Sequence, residues 1–250
     1  VFLLKKYLVS SYIYYMGRNI YKVFSLLIIY FFLISCGANT TYNNKKSASK
    51  FPIESFVHIE ATINILRCIS VEEQSICVSE SHTSTASGVS IGQTNDYSLI
   101  LTAGHLCEVD EDGLPKDARS HNIEMKVFDY EGQASPGKII KTSPVKPDIC
   151  AILVSGRKIP GVKISPKPPK VGERVYSMSA PLGIFHPPAV PILQGIYSGP
   201  RLEKDFSVVT IRAIGGCSGS AILNEEMELV GILFATHPGF NSITLISTFE

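Results

Sequence analysis

The chain has 250 residues, of which 45% are hydrophobic and 18% are charged, and this composition is typical of globular rather than disordered proteins. The formal net charge of +1 gives no electrostatic reason to expect a nucleic-acid partner. A folded region of roughly 200 residues can bury a proper core, as one β-rich domain or as two fused subdomains.

Residues 1–36 have the pattern of an export signal. Arg18 and Lys22 precede an apolar run, residues 23–34. This run is short for a membrane span of about 20 residues but suits the apolar core of a signal peptide. It ends in "LISC", so that Cys36 resembles the lipidated cysteine of a bacterial lipobox. We therefore expect a lipoprotein of the cell envelope, on the periplasmic or outer-membrane face. The alternatives are a plain signal peptide, which would give a secreted protein, and an anchor helix.

Residues 37–52 are polar and lack hydrophobic periodicity, which predicts a flexible tether. Strand signals dominate the rest of the chain, because short segments rich in β-branched and aromatic residues alternate with Gly, Pro, Asn or Asp. In chain order they are "FVHIEATINILRCIS", "SGVSIG", "YSLILTA", "IEMKVFDY", "GKIIKT", "DICAILV", "ERVYSMS", "VPILQGIYSG", "FSVVTIRA", "ELVGILFA" and "NSITLIS". No helical period extends over three turns. The pattern predicts an all-β barrel or sandwich, with the Pro-rich "SPKPPKVG", residues 165–172, between two halves.

Three short stretches carry residues suited to acyl transfer. "LILTAGHLC" places His105 just after an apolar strand, "KPDICAILV" places Asp148 before a buried strand, and "GGCSGS" places Ser218 among glycines. A serine hydroxyl becomes a good nucleophile when a histidine removes its proton and a buried carboxylate orients that histidine. Glycines at the serine let backbone N–H groups approach the developing oxyanion.

These stretches resemble the motifs of trypsin-like serine peptidases. "TAGH" resembles the family's TAAH motif, "DICAIL" its D-[IL]-A-L-L motif, and "GGCSGSAI" its G-x-S-G-G-P motif. The order His, Asp, Ser is also the order that this family uses. The flanking "ASGVSIG", "VGERVYSMSAPLG" and "LVGILFA" resemble the bacterial branch that includes the HtrA proteases. The resemblance implies a chymotrypsin-like fold of two six-stranded Greek-key β-barrels, with the active site in the cleft between them.

The resemblance also implies roles for individual residues. His105 would be the general base and then the general acid, Asp148 would orient it, and Ser218 would be the nucleophile. The backbone N–H groups of Gly216 and Ser218 would form the oxyanion hole. The substrate-binding residues implied by position are Arg212, Ile214, Gly215, Phe234, Ala235 and Thr236, the last three along a strand that pairs with the peptide.

Two of these positions leave alternatives open. Arg212 falls where relatives have the floor of the primary specificity pocket, and there it would favour an acidic substrate residue. It would instead face solvent if the strand "VVTIRA" turns it outward, which is the reading we favour. Cys217 stands where many relatives have Asp or Asn, which argues against activation by a newly cleaved N-terminus. Cys217 is also an alternative nucleophile, because a thiolate is more reactive than a hydroxyl.

Five cysteines follow Cys36, an odd number that leaves at least one without a partner inside the chain. Given the family resemblance, Cys107 and Cys150 would be neighbours, because each lies two residues after a member of the His–Asp pair. Cys68 and Cys77 flank "ISVEEQSI" and would join the two strands of a hairpin. The alternative for both pairs is buried free thiols. No close C-x-x-C spacing is present, so a zinc site is not expected. No cofactor is expected either.

Together these observations predict a serine endopeptidase that is exported and lipid-anchored and acts on polypeptides. The peptidase domain would span residues 53–250, with the first barrel at about 53–163 and the second at about 170–250. No PDZ module is expected to follow it. The alternative on the same fold is an inactive peptide-binding pseudoprotease. The sequence leaves the oligomeric state open.

Overall fold

The computed structural model describes residues 51–71, 74–109, 111–143, 147–201, 206–237 and 239–249. The predictions for the signal segment, for Cys36 and for nearly all of the tether lie outside these residues. Within the described ranges, no helix is both long enough and apolar enough to cross a membrane.

The first half of the described chain forms a closed six-stranded antiparallel barrel in the order β1-β2-β3-β6-β5-β4. Its strands are β1 (Phe56–Val71), β2 (Gln74–Gln93), β3 (Tyr97–Thr102), β4 (Ala118–Asp129), β5 (Ala134–Ser143) and β6 (Ile149–Ser155). Side chains of β6 alternate between the barrel interior and its outer surface, with Cys150, Ile152 and Val154 buried. This period of two is what a strand with one buried face requires.

The second half forms another closed six-stranded barrel, in the order β7-β8-β9-β12-β11-β10. Its strands are β7 (Arg174–Met178), β8 (Ile192–Pro200), β9 (Phe206–Val209), β10 (Ala221–Leu223), β11 (Leu229–His237) and β12 (Phe240–Thr248). The Pro-rich stretch lies in the connector between β6 and β7. The predicted all-β fold of two six-stranded barrels is therefore confirmed.

Each barrel has its own apolar core, and a third apolar cluster joins the two barrels. The joining cluster combines Phe56, Val89 and Leu101 of the first barrel with Met178, Leu223 and Ile232 of the second, all of them buried. Burial of apolar surface stabilises folded structure by about 25 cal/mol per Å². The barrels are thus held against each other by the same force that fills their interiors.

The long hairpin formed by β1 and β2 is a feature that the sequence patterns revealed only in part. The segment "SGVSIG" predicts only the end of β2, but the strand begins at Gln74 and pairs with the whole length of β1 as far as Val89. The first half of β2 is mostly exposed, so it lacks the apolar alternation that predicts strands. Hydroxyl and amide side chains join it to β1 instead, as between Thr62 and Thr83 (2.9 Å) and between Asn64 and Ser81 (2.6 Å). A disulfide joins Cys68 to Cys77, which face each other in this pairing.

Candidate active site

The residues of the expected His–Asp–Ser cluster come from the ends of three strands. His105 lies in a single 3₁₀ turn, Gly104–Leu106, that follows β3. Asp148 comes immediately before β6, which pairs with β3 up to the Thr102–Cys150 pair. Because the strands are antiparallel, the end of β3 and the start of β6 lie side by side, and this brings His105 to Asp148. Ser218 lies in the loop between β9 and β10 of the other barrel.

The three side chains form one hydrogen-bonded line. The Nδ1 atom of His105 is 2.9 Å from Oδ2 of Asp148, and its Nε2 atom is 3.2 Å from Oγ of Ser218. The backbone N–H of His105 also donates to Oδ1 of Asp148, at 2.9 Å. Asp148 is only 8% exposed, so its carboxylate is largely removed from water. Both carboxylate oxygens thus hold the imidazole in one orientation, with its far nitrogen toward the serine.

A disulfide joins the two segments that carry His105 and Asp148. Cys107 and Cys150 are joined by an S–S bond, with their Cα atoms 6.3 Å apart. Cys107 follows the turn that carries His105, and Cys150 is the second residue of β6 after Asp148. The bond therefore restrains the separation of the histidine and the carboxylate through covalent structure as well as through hydrogen bonds.

The glycines around Ser218 are required by close approach of the backbone. Gly216 and Gly219 have φ angles of +88° and +83°, in the left-handed region that glycine favours. A Cβ atom on Gly216 would lie 2.4 Å from the carbonyl oxygen of Ala180, and one on Gly219 would lie 2.0 Å from that of Ser87. Side chains at either position would therefore displace the turn that presents Ser218.

Hydrogen bonds to carbonyl groups orient the N–H groups on either side of Cys217. The carbonyl of Gly215 accepts a hydrogen bond from the N–H of Leu182 (2.6 Å), and that of Cys217 accepts one from Ser220 (3.0 Å). In a trans peptide the N–H points opposite to the C=O. The N–H groups of Gly216 and Ser218 thus point away from these partners. Neither donates to a backbone carbonyl among the residues that the structure describes.

Cys217 points away from the cluster. It is 1% exposed and packs among Ile222, Val230 and Leu233 in the core of the second barrel. Burial raises the pKa of its thiol, so the neutral form is favoured over the reactive thiolate. Among the described cysteines it is the one without a disulfide partner. Its position makes it a core side chain beside the serine rather than a group facing His105.

A cavity of about 600 Å³ opens beside Ser218. Five residues that the family resemblance assigned to substrate binding line it, namely Ile214, Gly215, Phe234, Ala235 and Thr236. Leu233 and Phe240 add further apolar surface, and His237 is the one titratable side chain among the described residues of the lining. The described lining is therefore largely apolar, with Thr236 and Asn241 as further polar side chains, and it contains no carboxylate, lysine or arginine.

Arg212 does not join the other implied substrate-binding residues. It is absent from the lining of this cavity, and its side chain is exposed, whereas its neighbours Ile211 and Ala213 are buried. Ala213 itself contributes to the cavity wall. The alternation along this extended segment turns Arg212 toward solvent, which is the orientation favoured from the sequence.

Several buried serines that contact the Ser218 turn were not predicted from the sequence. Hydroxyl groups of Ser177, Ser179 and Ser220 form a chain with two Oγ–Oγ distances of 2.6 Å. Ser87 of β2 reaches the same turn from the first barrel, where its Oγ is 2.9 Å from the carbonyl oxygen of Gly216. All four serines are fully buried. Only Ser87 and Ser177 lie within strands, where a serine in place of an apolar residue is a sequence signal.

Two closed six-stranded barrels, with a His–Asp–Ser cluster drawn from both of them, define a chymotrypsin-like fold. The sequence profile of the trypsin-like peptidase domain matches residues 86–232, more than half of the chain. The chain therefore belongs to the trypsin-like peptidase family, and the resemblance seen in its motifs is confirmed. No curated protein sequence gave a significant match.

Solved structures agree with this family. The serine endoprotease from Yersinia pestis superimposes with a TM-score of 0.55 at 19% identity, covering 80% of this chain and 61% of that one. The HtrA-type protease AlgW, solved with a decapeptide, gives a TM-score of 0.54 at 15% identity, covering 77% of this chain and 59% of that one. At these identities the likeness shows the fold. The chain matches about three fifths of the length of each of these proteins.

Proposed function

We propose that the protein is a serine endopeptidase in which Ser218 is the nucleophile, His105 the general base and Asp148 the residue that orients the base. The observation that carries this proposal is the continuous line from Asp148 through His105 to Ser218, with separations of 2.9 and 3.2 Å. Distances of this size allow proton transfer within the cluster. Membership of a peptidase family supports polypeptides as the substrates.

The reaction follows from the roles of these groups. Oγ of Ser218 attacks the carbonyl carbon of the scissile bond while Nε2 of His105 takes its proton. The N–H groups of Gly216 and Ser218 bind the oxyanion of the tetrahedral intermediate. The proton then passes from His105 to the leaving amine, which departs and leaves an acyl group on Ser218. Water, activated by the same imidazole, attacks this ester and releases the second product.

The cavity beside Ser218 supports a preference for substrates with an apolar residue before the scissile bond. Its lining includes Ile214, Leu233, Phe234 and Phe240. Among the residues that the structure describes, it has no acidic group to bind a basic residue and no lysine or arginine to bind an acidic one. A charged side chain would lose hydration there without gaining a partner. We therefore assign apolar residues to this pocket.

The test of the nucleophile is peptide hydrolysis by matched variants. Ser218→Ala should lower turnover by roughly 10⁶-fold, as expected when the nucleophile of such a unit is removed. Cys217→Ala is the control, because the two side chains are adjacent in the chain but only that of Ser218 faces His105. Loss of activity in Cys217→Ala with retention in Ser218→Ala would instead identify the cysteine as the nucleophile. A wild-type chain that binds peptides and hydrolyses none would identify a pseudoprotease.

We also propose that the protein is exported and held at a membrane by lipid on Cys36. The signal-like segment carries this proposal, and the two disulfides, Cys68–Cys77 and Cys107–Cys150, support an oxidising compartment. Labelled palmitate should be incorporated by the wild-type chain in a bacterial host and lost in Cys36→Ser. Equal labelling of the two chains, or none of either, would contradict the lipid anchor.

A further inference from the structure

One hydroxyl group of the first barrel contacts the turn that carries the nucleophile in the second. Ser87 lies on β2 and is fully buried. Its Oγ donates a hydrogen bond to the carbonyl of Gly216 (2.9 Å) and accepts one from the N–H of Ala180 (2.8 Å). Its own N–H donates to the carbonyl of Ser218 (2.8 Å). Ser87 thus makes two hydrogen bonds to the Gly216–Ser218 turn and one to the segment beside it.

The segment beside the turn holds the preceding peptide group, which joins Gly215 to Gly216 and carries the Gly216 N–H. Ala180 precedes a 3₁₀ turn, Pro181–Gly183, and the N–H of Leu182 in this turn donates to the carbonyl of Gly215. Leu182 has a φ of +56°, which is uncommon for a residue with a branched side chain. The hydroxyl of Ser87 is therefore bonded both to the Gly216 carbonyl and to the start of the turn that fixes the Gly215 carbonyl.

These contacts bear on the direction of the Gly216 N–H. Gly216 has a φ of +88°. Because glycine has no Cβ, its backbone can adopt more conformations than that of any other residue type. Its orientation depends on the hydrogen bonds to the peptide groups on each side, one from Leu182 and one from Ser87. Without the Ser87 hydroxyl, the Gly216 carbonyl and the Ala180 N–H would lack this partner in a buried setting, and reorientation would recover part of the loss.

We propose that Ser87 is a positioning residue for the oxyanion hole. Its hydroxyl holds the Gly216 carbonyl and the start of the turn that binds the Gly215 carbonyl, and it thereby keeps the Gly216 N–H directed at the reacting carbonyl. The inference rests on the proposed peptidase function. Ser87 touches neither substrate nor the reacting atoms. Its effect passes through the Gly216 N–H. Loss of the Ser87 hydroxyl should therefore weaken stabilisation of the tetrahedral species and leave the binding of peptide unchanged.

The chain offers a closely matched control in Ser98. It is fully buried on β3, and its Oγ also makes one hydrogen bond of each kind, donating to the carbonyl of Arg157 (2.7 Å) and accepting from the N–H of Ile159 (2.9 Å). These partners lie in the connector after β6, at the end of β3 remote from His105. Ser98→Ala thus removes the same type of buried hydroxyl without touching the nucleophile turn.

The experiment compares Ser87→Ala and Ser98→Ala in the full chain. Turnover of a chromogenic peptide gives kcat and KM, and inhibition by the matching peptide aldehyde reports on the oxyanion hole, because the aldehyde forms a tetrahedral adduct with the serine. Removing one oxyanion donor costs about 10²–10³-fold in kcat. A donor that is present but misplaced should cost less than one that is removed, about 10- to 100-fold in kcat. We expect this loss in Ser87→Ala, with KM nearly unchanged and aldehyde affinity lowered in parallel, and we expect no such loss in Ser98→Ala.

Equal kinetics in the two variants, or a rise in KM with kcat and aldehyde affinity retained, would overturn the proposal. If Ser87→Ala does not fold, Ser87→Cys decides the question in the same assay, because a thiol is a weaker donor than a hydroxyl. Its kcat should then fall below that of wild type at similar KM, and a wild-type kcat would refute the role. A wild-type chain with neither turnover nor aldehyde binding would refute the proposed function, and this inference with it.

Discussion

Removing the disulfide between Cys107 and Cys150 should destabilise the protein strongly and impair catalysis. This bond joins residues that are 43 apart in sequence. In the chain-entropy treatment, closing a loop of that length stabilises the folded state by about 4 kcal/mol. The bond between Cys68 and Cys77 closes a loop of only 9 residues. The same treatment gives about 2.6 kcal/mol for it.

Two double variants separate the effects of these bonds. Cys107→Ala with Cys150→Ala should lower the free energy of unfolding in urea by about 4 kcal/mol, equivalent to roughly 8–16 °C in Tm for a domain of this size. It should also reduce kcat, since the bond spans the two segments that carry His105 and Asp148. Cys68→Ala with Cys77→Ala should lose less stability and keep wild-type kcat, because that bond lies in the long hairpin.

The result that would refute this reasoning is an equal loss of unfolding free energy in the two double variants, or no loss of unfolding free energy in either. Equal loss would mean that loop length does not govern the stabilisation. Unchanged stability, together with free thiols at Cys107 and Cys150 in peptide mapping under non-reducing conditions, would mean that the bond does not form.

Further predictions concern the histidines and the specificity cavity. Asp148→Asn should lower kcat by about 10⁴-fold at neutral pH, because the amide would stabilise the wrong tautomer of His105, and wild-type kcat in this variant would exclude the role of Asp148. Burial lowers the pKa of His58, which packs against the rings of Phe128 and Phe185, and the nearby Glu60 carboxylate opposes the shift. The unfolded chain therefore takes up a proton more readily, so this contribution to stability is present above pH 6.5 and declines as the pH falls toward the lowered value. His58→Phe should flatten the dependence of Tm on pH between 7 and 5, and an unchanged slope would argue against it. In a peptide library, residues such as Leu, Val or Phe before the cleaved bond should be favoured over Arg or Glu, and selection of a charged residue would contradict the assignment of the cavity.

Much of the fold and of the candidate site could be predicted because the relevant signals are local in sequence. His105, Asp148 and Ser218 each stand in a short stretch whose small or apolar neighbours are distinctive. Most strands also follow the period of two that burial of one face imposes. The first half of β2 lacked this signal, because exposed Ser and Thr side chains such as Thr83 contact the opposite strand there.

The supporting contacts could not be predicted because they join residues that are far apart in sequence. Ser87 meets Gly216 across 129 positions, and the contact depends on how the two barrels dock. The direction of Arg212 depends in the same way on which side of an extended segment faces the cavity, and the sequence alone left both orientations open. Burial of the Cys217 side chain likewise depends on the conformation of the glycine-rich turn, in which Gly216 and Gly219 have positive φ angles.

The most direct test of the central claim is to identify the residue that a fluorophosphonate modifies. The probe reacts with serine nucleophiles activated by a neighbouring base, and peptide mass spectrometry locates the adduct. The proposed mechanism predicts one adduct, on Ser218, that is lost in His105→Ala as well as in Ser218→Ala. Labelling that persists in Ser218→Ala, or a folded wild-type chain that cleaves peptides without being labelled, would contradict it.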